Sequence, residues 1–381
     1  MGIPNFWKQL CRPRGTSRSP PPGPKVESEA DNSGDPVPEV FVRAAWADLP
    51  PGTSVGPGLV LRTNAFATVT DGIAAVADAG SVHVAAGVYA EPVTVTKTIQ
   101  LLGAQRGVDA RTRSGSPHTE SVIRMSGVDG PVSLLADGIV FDSLTVQGNG
   151  SHPGIATSGS NSGYLVLNNI VRDNVFGLYL NSNRTTLSTV RHNVFQKNTA
   201  SGAHSGNGIY ADQGSARLHI CENRFVGHTS GSLAFAGAPG TQHDFLIVNN
   251  DIVSDAPLAM VNTTNATIMG NTIIGTAAEA LSIQANNRHV DLQSNRLHQN
   301  VYESGSPPPM APVPPARTCA CVTTASTATR PPACAWRREG TPAPWMRRAT
   351  GGAVPAARLG SERGAATRLS SRARSSPSRR G

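Results

Sequence analysis

One short pattern recurs along this chain and limits what it can fold into. In "LVLNNIVRDNVFGLYL" (165–180) an Asn pair separates two apolar alternations. The pattern returns as "STVRHNVF", "LHICENRF", "FLIVNNDIV", "ATIMGNTII" and "VDLQSNRL". The repeats align on Asn169, Asn193, Asn223, Asn250, Asn271 and Asn295, with Asp142 of "VFDSLTVQG" as an earlier member. The intervals are 27, 24, 30, 27, 21 and 24 residues. Between them lie further short apolar segments, "GLYLN", "GIYAD", "SLAFAG", "LAMVN" and "ALSIQAN". Each unit reads as strand, Asn corner, strand, turn, strand, turn. Such a unit cannot close a hydrophobic core alone, but stacked on its neighbours it can. The pattern predicts an all-β solenoid of parallel coils spaced about 4.8 Å apart.

The Asn has a physical reason to recur. At a sharp corner Asn tolerates the left-handed backbone conformation. Repeated at the same corner of every coil, its amides can bond one another as a ladder, satisfying polar groups that would otherwise be buried unpaired. The expectation is therefore a structural Asn file.

The composition fits short strands and turns: 5% aromatic, 15% charged, with 39 Gly and 29 Pro. It also divides the chain into three zones. Residues 1–40 are rich in Pro, Ser, Gly and charge without apolar period, and read as a disordered leader. Residues 41–303 carry the repeat. Residues 304–381 form an Arg/Ala/Pro-rich tail, read as disordered, that contains no Ile, Phe, Tyr, Asn, Asp, Lys, His or Gln. That gap looks like a frameshifted translation of GC-rich DNA beginning near Glu303; the other reading is a genuine basic tail. The net charge of +8 belongs to this tail, which holds 13 Arg against 2 Glu, leaving the rest at −3. Nucleic-acid binding would thus rest on the tail alone and is not expected of the body.

Five Cys are present, and Cys221 alone lies in the repeat; "CENRF" reads as a small buried hydrophobe, and no C-x-x-C spacing implies a metal. The N-terminal segment shows no signal peptide, no membrane span and no good myristoylation match. The sequons at Asn149, Asn183, Asn262 and Asn265 are expected by chance in such a composition.

The start of the repeat zone differs from the rest. "NAFATVTDGIAAVADAG" places Phe66, Val69, Ile73 and Val76 near helical spacing and ends at Gly80, predicting a short helix that caps the first coil. "SVHVAAGVYAEPVTVTKTIQLLGA" reads as three strands broken by Gly87 and Pro92. This segment resembles the opening of right-handed parallel β-helix proteins of the pectin-lyase-like superfamily. Pectin methylesterases have a similar helix, then G-x-Y-x-E-x-V-x-V and an apolar L-x-G strand; here these are Gly87, Tyr89, Glu91, Val93 and Val95, then Leu101 to Gly103. The resemblance covers roughly residues 60–300 and implies a right-handed parallel β-helix.

It does not carry over a catalytic site. Neither the D-F-I-F-G-like nor the G-R-P-W-like motif of pectin methylesterases occurs. The G-H-G and R-I-K motifs of polygalacturonases are missing, as are the clustered carboxylates of pectate lyases. Scattered candidates remain: His204 and Asp212 in "SGAHSGNGIYADQG", His243 and Asp244 in "GTQHDF", and Asp173 in "VRDNVFG". Asp173 with Asp212 is the pair considered for glycoside hydrolysis; the plainer reading makes all of these polar turn residues. No cofactor and no metal is expected. The resemblance implies a non-catalytic module of a bacterial secreted or cell-surface protein that presents a rigid face to polysaccharide or matrix. The alternative is a carbohydrate-active enzyme (lyase, hydrolase or epimerase) on polyuronides. Its mark would be at least two acids and one base converging on one outward face. A repeat that ends uncapped also predicts end-to-end self-association.

Overall fold

The computed structural model describes residues 36–301 except 128 and 129, together with the backbone of 317–321 and 334–338. The disordered-leader reading up to residue 35, the frameshift reading and most of the tail fall outside the described residues; the leader does not extend to residue 40, since Val37–Val42 is a first-sheet strand paired with Val76–Val84. Within the tail, Arg317–Cys321 pairs antiparallel with Cys334–Arg338.

Three parallel sheets of 11, 9 and 8 strands wind around one core. Each full coil contributes a strand to the first sheet, a corner, a strand to the second, a turn, and a strand to the third. One coil illustrates this: Leu165–Leu167, Ile170–Arg172 and Leu178–Tyr179. Side chains alternate across each strand, so one file from every sheet points inward. In the third sheet that file runs Ile155, Leu178, Ile209, Leu233, Leu258 and Leu281, all buried. In the second, Phe195 stacks on Phe225 at 5.1 Å between ring centroids. Each such side chain stabilises by about 1.5–3 kcal/mol on burial, but only when the next coil covers it.

The Asn ladder is present. Asn169, Asn193, Asn223, Asn250 and Asn271 each pass an amide N–H to the Oδ1 of the next, ending at Asn295, at 2.9–3.1 Å. The backbone N–H of each of the first five bonds the same oxygen at 2.7–3.0 Å. Two details differ from the expectation. Asp142 is not a rung: Leu144 holds that place, its N–H donating to Asn169 Oδ1 at 2.9 Å. The left-handed residue is also not the ladder Asn but the one before it, namely Ser143, Asn168, His192, Glu222, Asn249, Gly270 and Ser294, with φ of 51–64°. That residue turns the corner outward, which lets the ladder Asn point in.

A second polar file lies at the next corner, five residues beyond each rung: Asn149, Asn174, Asn198, His228, Asp255, Thr276 and Asn300. Asn174 Nδ2 donates to Asn198 Oδ1 at 2.9 Å. Asn198 Nδ2 lies 3.1 Å from His228 Nε2, and His228 Nδ1 lies 2.8 Å from Asp255 Oδ2. With the amide donating, His228 carries its proton on Nδ1, toward the carboxylate. Asn149, the first member, is buried, so its sequon is closed in the folded chain.

The cap helix is Val69–Ala75, shorter than the periodicity implied, because Val76 is already extended and starts the strand Val76–Val84. Gly80 sits inside that strand; a Cβ there would lie 2.7 Å from the Pro38 carbonyl oxygen. Thr68 Oγ1 caps the helix by accepting from Asp71 N–H. Glu91 accepts from the N–H groups of Val69 and Thr70 at 2.8 and 2.9 Å, and Lys97 Nζ donates to the carbonyls of Ile73, Ala74 and Val76. An anion thus sits at the N-terminus and a cation at the C-terminus, matching the helix dipole. The segment 81–102 holds four strands rather than three, since the chain also turns at Thr96–Thr98.

At the other end the backbone of Arg317–Cys321 lies against the last third-sheet strand, while the last strands of the first and second sheets are uncovered among the described residues. Leu281–Gln284, Arg288–Gln293 and Arg296–His298 are edge strands, and Val290, Leu292 and Leu297 are half-buried where Ala266, Ile268 and Ile273 of the preceding coil are fully covered. With one end capped, association should join the uncovered first- and second-sheet edges of two molecules and stop at the dimer. Sedimentation velocity across a concentration series should show monomer and dimer; a single monomeric species throughout contradicts this. At the ladder, Asn223→Ala removes the Oδ1 that accepts from both the backbone N–H and Nδ2 of Asn193, and leaves the buried N–H without an acceptor. It should cost roughly 2–5 kcal/mol in denaturant unfolding, and a cost below about 1 kcal/mol would show the ladder to be dispensable.

Candidate functional site

Two polar clusters sit on the outside of the coils, and their chemistry differs. The first is built by residues 103–120, an insertion between the strands Gln100–Leu102 and Ser121–Arg124. It runs down the first corner across several coils, meeting the outward carbonyls of the left-handed residues. Ala110 N–H bonds His192 O at 3.1 Å, and Arg113 donates to Asn168 O. Beneath it Arg113 and Glu120 are buried with Nη1 and Oε2 3.5 Å apart. Burial lowers the Arg113 pKa and raises that of Glu120.

At its edge converge two acids and three bases. Asp109 Oδ2 lies 2.7 Å from Arg111 Nη2, and Glu222 Oε2 lies 2.7 Å from both Arg191 Nη2 and His192 Nε2. His192 and Glu222 occupy the left-handed corner positions, which project outward. The composition of an acid–base site is therefore met here. The electrostatics oppose that use. The hydrogen bond from His192, then that from Arg191, holds Glu222 at about 2. Burial raises Asp109, but Arg111 outweighs it and leaves the carboxyl below its ordinary value. Both carboxylates are ionised and occupied, so the cluster works as a clamp that binds the strap to the corner.

The second cluster lies on the outer face of the third sheet. Tyr179 and Tyr210 are register neighbours in its outward file and stack at 6.1 Å and 15°. Phe176 packs edge-on to both. The loop 197–206 lays His204 on Tyr210 at 4.2 Å, and Asn207 Nδ2 fixes the loop by donating to His204 O at 2.8 Å. Phe176 and Tyr210 are buried, whereas Tyr179, His204 and Asp212 are half-buried and Gln213 is exposed. Tyr179 Oη donates to Asp212 Oδ1 at 2.5 Å and accepts from Gln213 Nε2 at 2.9 Å. His204 Nε2 lies 4.0 Å from Asp212 Oδ2. Burial first, then Asp212, pushes both phenol pKa values well up, so the two tyrosines stay protonated donors.

The fold thus joins His204 with Asp212, while the Asp173–Asp212 pair fails. Tyr210 pairs with Tyr179, which aligns Asp212 with Asn181, eight residues and a corner beyond Asp173. Asp173 is exposed, 3.8 Å from Arg172. His243 and Asp244 form an exposed pair at 2.9 Å on the first sheet. Cys221 is fully buried against Val248, Met269 and Leu246, as a small hydrophobe. Sequence reasoning missed Tyr179, Tyr210 and Phe176; the repeated aromatic in "GLYLN" and "GIYAD" was the available signal. Among the described residues no cluster of three or more His, Cys, Asp or Glu could hold a metal ion, and no helix is long and apolar enough to cross a membrane.

The match to a protein-family model agrees with this architecture. A family model described as a right-handed β-helix region matches residues 85–225. Together with the parallel three-sheet coils, it makes this chain a right-handed parallel β-helix. A solved structure to which the chain is similar is the pectin methylesterase from Aspergillus niger in deglycosylated form. The TM-score is 0.44 and the identity 13%, over 72% of this chain and 92% of that one. No curated protein matches the chain.

The clamp generates a pH prediction. Glu222 has a folded pKa below its ordinary 4.5, so its contribution is present above that value and is lost as pH falls toward about 2. Thermal melts of Glu222→Gln should vary less between about pH 5 and about pH 3 than those of the wild type. Equal slopes would remove the clamp.

Proposed function

We propose that this β-helix is a glycan-binding module, working at or outside the cell surface, whose contact face is the third-sheet platform centred on Tyr179. The observation that carries the proposal is the combination on one outward face of a partly exposed tyrosine ring with a carboxylate, an amide and an imidazole at its rim. An aromatic face offers an apolar, electron-rich surface to the C–H side of a sugar ring. A few fixed polar groups beside it supply direction to the hydroxyls. Stacking on Tyr210 and the bond to Asp212 hold the ring in place before binding, which reduces the entropy lost on association. The coil-by-coil scaffold keeps this face flat and rigid.

A carbohydrate-active enzyme is the second reading, favoured by one observation. The short Tyr179–Asp212 hydrogen bond, with His204 nearby, is a carboxylate, phenol and imidazole set capable of moving a proton.

Binding of the full chain to a panel of immobilised polysaccharides separates the outcomes. Tyr179→Ala should weaken retention by about tenfold or more, the scale of one lost aromatic anchor, with circular dichroism unchanged. Retention unaffected by Tyr179→Ala would overturn the platform as the contact face. Turnover of any bound polysaccharide, read as reducing ends or unsaturated products and abolished by Asp212→Asn, would favour the enzyme.

A further inference from the structure

The outward file that contains Tyr179 fixes what kind of sugar the platform accepts. The file runs Thr94, Ser133, Ala156, Tyr179, Tyr210, Ala234, Ala259 and Ser282. Tyr179 has Tyr210 on one side. On the other its neighbour is Ala156, followed by Ser133 and Thr94, none of them large. Tyr210 is covered by its stacking partners, so the ring face open to a ligand is that of Tyr179 above Ala156. A methyl group below and an aromatic wall beside it form a step about one coil high, the thickness of a pyranose ring.

Charge at this step is one-sided. Asp212 is the acid at its rim, and among the described residues its single charge-capable partner within 4.0 Å is His204, at that limit. No Arg or Lys pairs with it among those residues. The guanidinium groups of the other cluster, Arg111 and Arg191, are engaged by Asp109 and Glu222. A sugar carboxylate brought against Tyr179 would thus meet a carboxylate that no Arg or Lys pairs with among the described residues, Arg184 lying instead against Gly214, two residues beyond Asp212. A sugar hydroxyl meets the same carboxylate as a hydrogen-bond acceptor, and Gln213 offers an exposed amide beside it.

Resting on the glycan-binding reading of this platform, we infer that the step beside Tyr179 takes an uncharged pyranose unit and excludes uronates. Calorimetry with a galactan hexasaccharide and a galacturonan hexasaccharide, on the full chain at low salt, tests it. The neutral probe should bind at least tenfold more tightly. Asp212→Asn should narrow that gap by strengthening galacturonan binding, and added salt should narrow it in the wild type. Ala156→Leu, which fills the step on an outer face, should abolish binding of the neutral probe with the melting temperature kept. Galacturonan bound as tightly as galactan, or a gap indifferent to Asp212→Asn, overturns the inference and leaves the platform standing. Binding of neither probe, or of both undiminished by Ala156→Leu, overturns the placement of a sugar on Tyr179 as well.

Discussion

Everything in this molecule depends on hydrogen bonds passed from one coil to the next. A single coil has three strands of two to nine residues with no partners of its own and a corner where backbone and amide groups turn inward. The next coil supplies what is missing: strand pairing, cover for the apolar file, and the Oδ1 that accepts both donors of the preceding ladder Asn. Such a fold has no stable unit smaller than several coils. Its stability is the sum of interfaces between neighbours, and its ends require particular treatment.

The two polar files constrain where the sequence can vary. Rung and second-corner residue are always five apart, as in Asn169 with Asn174, Asn223 with His228, and Asn271 with Thr276. A longer second-sheet strand would push one of them out of its file. Length changes therefore fall elsewhere, which is why the repeat interval ranges from 21 to 30 residues while this offset stays fixed. The strap 103–120 enters at a corner that precedes the first rung, and loop 197–206 lengthens the turn after Asn198. That second insertion is what carries His204 onto Tyr210. The same permissiveness thus builds both outer clusters, and electrostatics separates their roles: in one every carboxylate is held by cations, in the other Asp212 keeps acceptor capacity at the edge of an aromatic face.

The solenoid was legible because its causes are periodic. Asn recurring before an apolar pair, strands of a few residues and turn formers between them point to stacked coils. The opening segment "GVYAEPVTV" belongs to such a coil, and Glu91 within it holds the helix N-terminus. The identity of the left-handed residue was not legible, since Ser143, Asn168, His192, Glu222 and Gly270 share no side-chain chemistry. Only the backbone requires that position to turn outward. The second file was written in the constant five-residue offset but disguised by His228, Asp255 and Thr276. The platform depends on cross-coil register, which sets Tyr179 beside Tyr210 although they are 31 residues apart. The pairing of Asp173 with Asp212 failed for the same reason: proximity in a solenoid follows place within the coil, and those two occupy different corners.

The most direct test of the account is backbone hydrogen–deuterium exchange of the full chain with and without a bound oligosaccharide. Added protection is expected in 154–160, 175–181 and 204–213, the segments around Ala156, Tyr179 and Asp212, with the strap 103–120 unchanged. Protection confined to the strap or to the first sheet, with those three segments unaltered by a ligand that binds, would contradict it.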